Sequence, residues 1–166
     1  MAQISILPQY CSSCSRVVCQ ITFRHESHMS KRSSASKRPR ILLADDYPHW
    51  LNAATILLAP DFDVVGTAVD GGKLVSEALR LEPDVIVVDV TMPVMTGIDA
   101  VHRLRKLGSL ARIVFLTIHV EEEFVLACRA EGAHGYVLKN KMKAQLVPAI
   151  RAALAGEYYL PPIPSV

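Results

Sequence analysis

From Ile41 onward the chain alternates between short apolar runs and longer segments in which apolar residues recur at helical spacing. The short runs predict buried strands, and the helical spacing predicts amphipathic helices. The predicted strands cover 41–45, 63–68, 84–89, 112–117 and 135–138. The predicted helices cover about 48–59, 71–81, 97–107, 121–131 and 141–155. The sequence therefore predicts consecutive strand–helix units along most of its length.

Strand–helix units in succession favour an α/β fold in which one parallel sheet is covered by helices on both faces. Right-handed crossovers make such a sheet open and doubly wound. Ligands of these folds bind outside the carboxyl ends of the strands, near a topological switch point. The residues at the strand ends are therefore the first candidates for a functional site.

Polar side chains stand at the ends of four predicted strands. The first strand ends in Asp45 and Asp46, the third in Asp89, the fourth in Thr117 and the fifth in Lys139. Three carboxylates at one sheet edge repel one another unless a cation lies among them, and Mg²⁺ prefers oxygen ligands of this kind. The ammonium and hydroxyl groups suit the added negative charge of a phosphoryl group.

Each of these residues also has an ordinary explanation when taken singly. Asp46 can cap the helix that is predicted to begin near Pro48. Thr117 can simply end a strand, and Lys139 can be a solvated surface residue. Capping does not explain the whole set, so the combination favours a functional site over the ordinary explanations.

The same segments resemble the receiver domain of two-component response regulators. The resemblance covers Arg40 to Tyr158 and rests on "ILLADD", "VIVVDVTMPVMTGIDAVHRLR", "IVFLTIH" and "GAHGYVLK". The segment "HVEEEFVLACRAEGAHGYVLK" is similar to receivers of the NarL/FixJ subgroup. The resemblance implies a flavodoxin-like strand order, 2-1-3-4-5, and a phosphorelay protein rather than an enzyme.

Roles follow from the resemblance residue by residue. Asp89 is implied to be the phosphoacceptor for a sensor histidine kinase. Asp45, Asp46 and Asp89 are implied to hold Mg²⁺, together with the backbone carbonyl of Thr91. Thr117 and Lys139 are implied to bind the phosphoryl oxygens.

Two further implied roles concern regulation. Tyr136 matches the aromatic residue whose rotamer accompanies activation, although an ordinary packed tyrosine explains it equally well. Thr91 and His119 occupy variable family positions that tune dephosphorylation.

Charge and composition divide the chain. Residues 1–39 are expected to form a basic, disordered tail, 40–158 the receiver domain, and 159–166 a Pro-rich tail or linker remnant. Residues 1–40 carry seven Lys or Arg against Glu26, which leaves the remainder net acidic. The basic character is therefore a tail property. Non-specific nucleic-acid binding by this tail stays an open alternative.

Location and partners are expectations as well. No apolar run approaches the roughly 20 residues that span a bilayer, and the N-terminus lacks a secretory signal, so a cytoplasmic protein without membrane contact is expected. The expected partners are a sensor histidine kinase and an effector protein, with a homodimer as an open alternative. Direct sequence-specific DNA binding is disfavoured, because no helix-turn-helix pattern follows the last predicted helix.

Two rival functions stay open. A phosphorylation-independent pseudo-receiver would bind partners without using Asp89. A Mg²⁺-dependent phosphatase of the haloacid dehalogenase type also forms an aspartyl phosphate, but it requires a DxD motif after the first strand. This chain instead has adjacent Asp45 and Asp46 followed by Tyr47.

Overall fold

The computed structural model describes residues 38–159. They form an α/β fold in which one parallel sheet has helices on both faces. The strands are β1 (Arg40–Ala44), β2 (Asp63–Ala68), β3 (Val85–Val88), β4 (Arg112–Thr117) and β5 (Gly135–Leu138). The helices are α1 (Pro48–Leu58), α2 (Gly71–Leu81), α3 (Gly97–Lys106), α4 (Glu122–Ala130) and α5 (Met142–Ala155). The strand order β2-β1-β3-β4-β5 confirms the predicted fold.

The predicted tails fall almost wholly outside the described residues. The expectation of a disordered basic tail concerns residues 1–39, of which only 38 and 39 are described. At the other end, Tyr159 is the first residue of the predicted Pro-rich tail. It pairs in parallel with Gly135 beside β5, and its carbonyl accepts a hydrogen bond from the Tyr136 amide at 2.9 Å.

The central strand β3 is buried on both faces, as its unbroken apolar sequence predicts. All four residues of Val85–Val88 are buried. Ile86 and Val88 face a core that includes side chains of α2, α3 and α4, whereas Val85 and Val87 face a core that includes α1 and α5. The two cores hold β3 rigidly, and this rigidity fixes the position of the residue that follows it, Asp89.

The helix boundaries follow local capping chemistry. The Asp70 side chain accepts a hydrogen bond from the Lys73 amide at the start of α2, and Thr96 does the same for the Asp99 amide at the start of α3. Gly108 and Gly132 have positive φ angles just beyond α3 and α4, where a residue with a side chain would be strained. The helix α5 continues through Pro148 as one element.

The loop between β3 and α3 contains a strained residue. Val94 has a φ angle of +68°, and its side chain is 90% exposed. The Met95 amide donates to the Pro93 carbonyl at 2.7 Å, which closes a tight turn around Val94. A β-branched residue is disfavoured in this conformation, whereas glycine adopts it freely.

We therefore expect Val94→Gly to raise the free energy of unfolding by about 1 kcal/mol, because relief of strain exceeds the added entropy of the unfolded chain. Urea denaturation monitored by circular dichroism measures this change. Val69→Gly is the matched control: Val69 is also exposed but lacks a positive φ angle, so this change should destabilise the protein. A lower stability of Val94→Gly than of the wild type would contradict the expectation.

His134 lies just before β5 and contacts Arg112. Its Nε2 is 3.0 Å from an Arg112 guanidinium nitrogen, and its ring stacks on Tyr158. Burial lowers the pKa of His134, and the charges of Arg112 and Arg105 lower it further. The folded protein therefore resists protonation of this ring more than the unfolded chain does.

We expect His134 to make stability fall as the pH is lowered through about 6.5, the ordinary value in the unfolded chain, because the unfolded chain then binds the extra proton. Urea denaturation between pH 5 and 8, on the wild type and His134→Gln, measures the effect. The variant should lose less stability across this range, and Arg112→Gln should lose an intermediate amount. Identical pH profiles of wild type and His134→Gln would contradict the assignment.

No helix within residues 38–159 is both long enough and apolar enough to cross a membrane. Cys128 is buried in α4, and burial raises the pKa of its thiol to about 12.

Candidate functional site

The carboxyl ends of β1, β3, β4 and β5 bring the five predicted strand-end residues to one edge of the sheet. Asp45, Asp89, Thr117 and Lys139 are all buried, with exposed fractions of 5% or less. One carboxylate oxygen from each of Asp45, Asp46 and Asp89 lies within 4.8 Å of the others. The three carboxylates that the sequence pointed to are therefore neighbours in space.

Backbone contacts hold the two buried carboxylates in place. The Asp89 amide donates to the Ala44 carbonyl at 2.9 Å, and the Asp45 amide donates to the Ala68 carbonyl at 3.1 Å. A Cβ atom on Gly97 would lie 1.9 Å from the Asp89 carbonyl oxygen. Only glycine permits this approach, so the start of α3 fixes the backbone of Asp89 from one side.

Lys139 bridges two of the carboxylates. Its Nζ lies 2.7 Å from Asp89 Oδ2, with which it forms a hydrogen bond, and 2.7 Å from Asp45 Oδ2 as an ion pair. The ammonium group also lies 5.5 Å from the centre of the Trp50 ring, within the range of a cation–π contact. Burial lowers the pKa of Lys139, but the bonds to Asp45 and Asp89 outweigh burial and raise it overall.

Two carboxylate oxygens at the site have no protein partner. Asp46 Oδ1 and Asp89 Oδ1 are buried without a hydrogen bond. Buried carboxylate oxygens are normally paired, so these two oxygens are free to accept a ligand such as a metal ion or water. A hard divalent cation fits the donor set, because one ammonium group leaves the three carboxylates with uncompensated negative charge.

The ordinary explanation of Asp46 as a helix cap is wrong. The residue at the N-cap of α1 is Tyr47, and no side chain caps this helix. Instead, Asp45 Oδ1 accepts a hydrogen bond from the Tyr47 amide at 3.0 Å. Burial raises the pKa of Asp45, whereas Lys139 and this amide act in the opposite direction. Asp46 therefore stays available to a ligand.

The predicted regulatory residues contact one another and Thr117. Thr91 Oγ1 lies 2.7 Å from His119 Nε2, so the two positions predicted to tune dephosphorylation are hydrogen-bonded to each other. Thr117 Oγ1 accepts the His119 amide at 3.3 Å. The Tyr136 hydroxyl donates to the His119 carbonyl at 3.1 Å, and burial raises the pKa of this phenol.

Comparison with known proteins decides the family. The model of the response regulator receiver domain matches residues 41–151, which is most of the described chain. The chain belongs to the response regulator receiver family. Among curated relatives, the nitrate/nitrite response regulator NarL of Escherichia coli is 38% identical over 122 residues, which cover 72% of this chain and 56% of NarL. The transcriptional regulator LiaR of Bacillus subtilis is 38% identical over 120 residues, which cover 71% of this chain and 57% of LiaR.

Solved receiver structures agree with this assignment. A LuxR-family two-component response regulator from Aurantimonas sp. has a TM-score of 0.72 at 36% identity, covering 76% of this chain and 91% of that one. The receiver domain of NarL from Mycobacterium tuberculosis has a TM-score of 0.70 at 26% identity, covering 73% of this chain and 99% of that one. The chain spans somewhat more than half the length of the curated relatives that it matches.

Sequence reasoning missed three residues at this receiver site. Gly97 permits the close approach of α3, Trp50 lies beside Lys139, and the Phe124 ring stacks on His119 at a centroid distance of 4.2 Å. Of the three, only Gly97 left a signal in the sequence, because it is a glycine at the start of a predicted helix, eight positions after Asp89. The contacts of Trp50 and Phe124 join separate elements and leave no trace in sequence periodicity.

Proposed function

We propose that this receiver takes a phosphoryl group from a sensor histidine kinase onto Asp89, with Mg²⁺ at the carboxylate cluster. The observation that carries the proposal is that the carboxylates of Asp45, Asp46 and Asp89 lie close together. Two of their buried oxygens, one from Asp46 and one from Asp89, have no protein partner. Lys139 supplies the only ammonium group in contact with this cluster within residues 38–159. The site is therefore built for additional positive charge and for an anionic group beside it.

The proposed metal ligands are the carboxylates of Asp45, Asp46 and Asp89 and the backbone carbonyl of Thr91. When bound to these ligands, Mg²⁺ would supply positive charge beside the phosphoryl oxygens. The chain itself supplies a fixed donor set, because β1 holds Asp45 and β3 holds Asp89 rigidly at their carboxyl ends.

The chemical step uses Asp89 as a nucleophile. A carboxylate oxygen attacks phosphorus, the nitrogen–phosphorus bond of the kinase phosphohistidine breaks, and the electron pair returns to the imidazole nitrogen. Lys139 holds Oδ2 of Asp89 and thereby fixes the orientation of the carboxylate. After transfer, the Lys139 ammonium and the Thr117 hydroxyl donate to the phosphoryl oxygens. The product is an aspartyl phosphate that serves as a signal.

Thr91 and His119 are proposed to set the lifetime of that signal. Their side chains are hydrogen-bonded to each other, and each residue follows a proposed site residue, Asp89 or Thr117, by two positions. The receiver is proposed to act by stoichiometric phosphotransfer and slow self-dephosphorylation rather than by turnover of a substrate.

The proposed output is contact with a partner protein in the cytoplasm. The face formed by α4, β5 and α5 is the candidate surface for an effector or for a second copy of the chain. Direct specific DNA binding is not proposed for the described residues, which present no recognition helix beyond the receiver fold.

Beryllofluoride, a mimic of the phosphoryl group, tests the proposal through fluorine NMR. We expect bound fluoride signals that saturate at one equivalent per chain when Mg²⁺ is present and vanish after chelation. Asp89→Ala should give no bound signal, while Asp63→Asn, an exposed acidic residue at the start of β2, should bind as the wild type does. No bound signal from wild type with Mg²⁺ would contradict the proposal and favour a pseudo-receiver.

A further inference from the structure

The indole ring of Trp50 lies beside the ammonium group of Lys139. The centre of the ring is 5.5 Å from Nζ, within the range of a cation–π contact. The same ammonium group lies 2.7 Å from one carboxylate oxygen of Asp45 and 2.7 Å from one of Asp89. Of these three neighbours, only Trp50 carries no formal charge.

The position of the indole ring is set by the first turn of α1. Pro48 is the first residue of this helix, and the Trp50 amide donates to the Tyr47 carbonyl at 3.0 Å. The ring packs against the core that includes α1 and α5, and its centre lies 4.8 Å from the centre of the His49 ring. The indole therefore has anchoring contacts that do not depend on Lys139.

An open groove borders both side chains of this pair. It has a volume of about 530 Å³ and is lined by Trp50 and by residues 139–145. The Lys139 side chain is only 3% exposed, although it lies at this groove. Loss of the indole would enlarge the groove beside the ammonium group, and the flexible stem of the lysine would gain room to leave its position.

The two carboxylates and the indole differ in what else they can bind. Asp45 and Asp89 are proposed metal ligands, and a carboxylate that shares its charge with a divalent cation attracts the ammonium group less strongly. The indole does not compete for the cation, because Mg²⁺ prefers oxygen ligands. Its contact with Lys139 is therefore the one that persists when the metal site is filled.

We propose that Trp50 is a positioning residue, which keeps the Lys139 ammonium group in place for the phosphoryl group once Asp45 and Asp89 have bound the metal. This inference rests on the proposed function. Without the ring, the Lys139 side chain becomes free when the metal binds and has to be ordered again when a phosphoryl group binds. Ordering a long, flexible side chain costs conformational entropy and weakens binding.

Separate titrations with beryllofluoride and with Mg²⁺ test this role in wild type and Trp50→Leu. At saturating Mg²⁺, we expect the variant to need about fivefold more beryllofluoride for half-saturation in fluorine NMR. Calorimetric titration with Mg²⁺ alone should give an affinity at least equal to that of the wild type, because the lost contact is present before the metal binds as well as after. Trp50→Phe keeps a weaker aromatic face and should have an intermediate beryllofluoride midpoint.

Graded fluorination of the indole separates the attraction for the ammonium group from packing. Trp50 is the only tryptophan of the chain, so incorporation of mono-, di- or trifluorotryptophan alters this ring alone. Fluorine withdraws electron density from the ring face that attracts the cation and nearly preserves the shape of the ring. The beryllofluoride midpoint should therefore rise stepwise with the number of fluorine atoms. Leu57→Ala, which removes packing from the same helix and core, should bind beryllofluoride as the wild type does.

Two results would overturn the inference while leaving the proposed function intact. One is a beryllofluoride midpoint that does not change with fluorination, and the other is an equal loss of affinity for Mg²⁺ and for beryllofluoride in Trp50→Leu. The fluorinated proteins decide the question if Trp50→Leu folds poorly. Absence of bound beryllofluoride in the wild type with Mg²⁺ would instead overturn the proposed function and the inference with it.

Discussion

Lys139→Met is expected to lower the free energy of unfolding by about 3 kcal/mol, because the change leaves buried carboxylates without their cation. Asp45 and Asp89 are 3% and 5% exposed, and both contact the Lys139 ammonium at 2.7 Å. Removal of one partner from a buried ion pair costs more than the pair contributes, since the remaining charge is poorly solvated. Here a single substitution removes the shared cation from two such carboxylates.

Urea denaturation with and without Mg²⁺ measures this effect and its origin. Mg²⁺ should recover a larger part of the stability in Lys139→Met than in the wild type, because the metal replaces the missing positive charge. Lys143→Met is the control: Lys143 is exposed in the first turn of α5, and its loss should change stability by no more than about 0.5 kcal/mol. A loss of similar size in both variants would show that Lys139 is not paired as described.

Asp89→Asn is expected to have the opposite effect and to raise the free energy of unfolding of the metal-free protein by about 1 kcal/mol. At an effective dielectric constant of about 20, attraction of Asp89 to Lys139 at 2.7 Å amounts to about 6 kcal/mol. Repulsion of Asp89 from Asp45 and from Asp46, within 4.8 Å, amounts to at least about 3.5 kcal/mol for each of the two. The two repulsions together slightly exceed the attraction. Burial of the charge adds to the cost, whereas asparagine keeps the shape and an acceptor for Lys139.

Thermal and urea unfolding of the metal-free protein measure the difference. Mg²⁺ should stabilise the wild type more than Asp89→Asn. The difference between their free energies of unfolding should therefore shrink or change sign as the metal is added. Asp63→Asn, which removes an exposed carboxylate from the start of β2, should leave stability within about 0.5 kcal/mol of wild type. A metal-free Asp89→Asn that is less stable than wild type would contradict the balance of charges described here.

The strand-end residues could be predicted from the sequence because parallel strands bring their carboxyl ends to one edge. Asp45, Asp89 and Lys139 stand directly after apolar runs, so periodicity places them without knowledge of side-chain positions. The helix ends were equally accessible, since caps and glycines mark them in the sequence. The predicted and observed elements differ by no more than one residue at either end.

Contacts between elements were not predictable from the same signals. The stacking of His119 on Phe124 depends on where a loop and the first turn of α4 meet, and no periodic pattern encodes that distance. The strained conformation of Val94 is a second case, because valine is a residue type that predicts extended backbone rather than a positive φ angle. Asp46 is a third case, because an acidic residue just before a helix has the sequence signature of a cap whether or not it forms one.

Phosphorylation by acetyl phosphate tests the central claim most directly. Wild type and Asp89→Ala are incubated with acetyl phosphate, with Mg²⁺ or with chelator, and are separated on a phosphate-affinity gel. The proposed function predicts one retarded band, seen only for the wild type with Mg²⁺, and a phosphoryl group located on Asp89 by mass spectrometry after borohydride reduction. A retarded band of equal intensity in Asp89→Ala would contradict it.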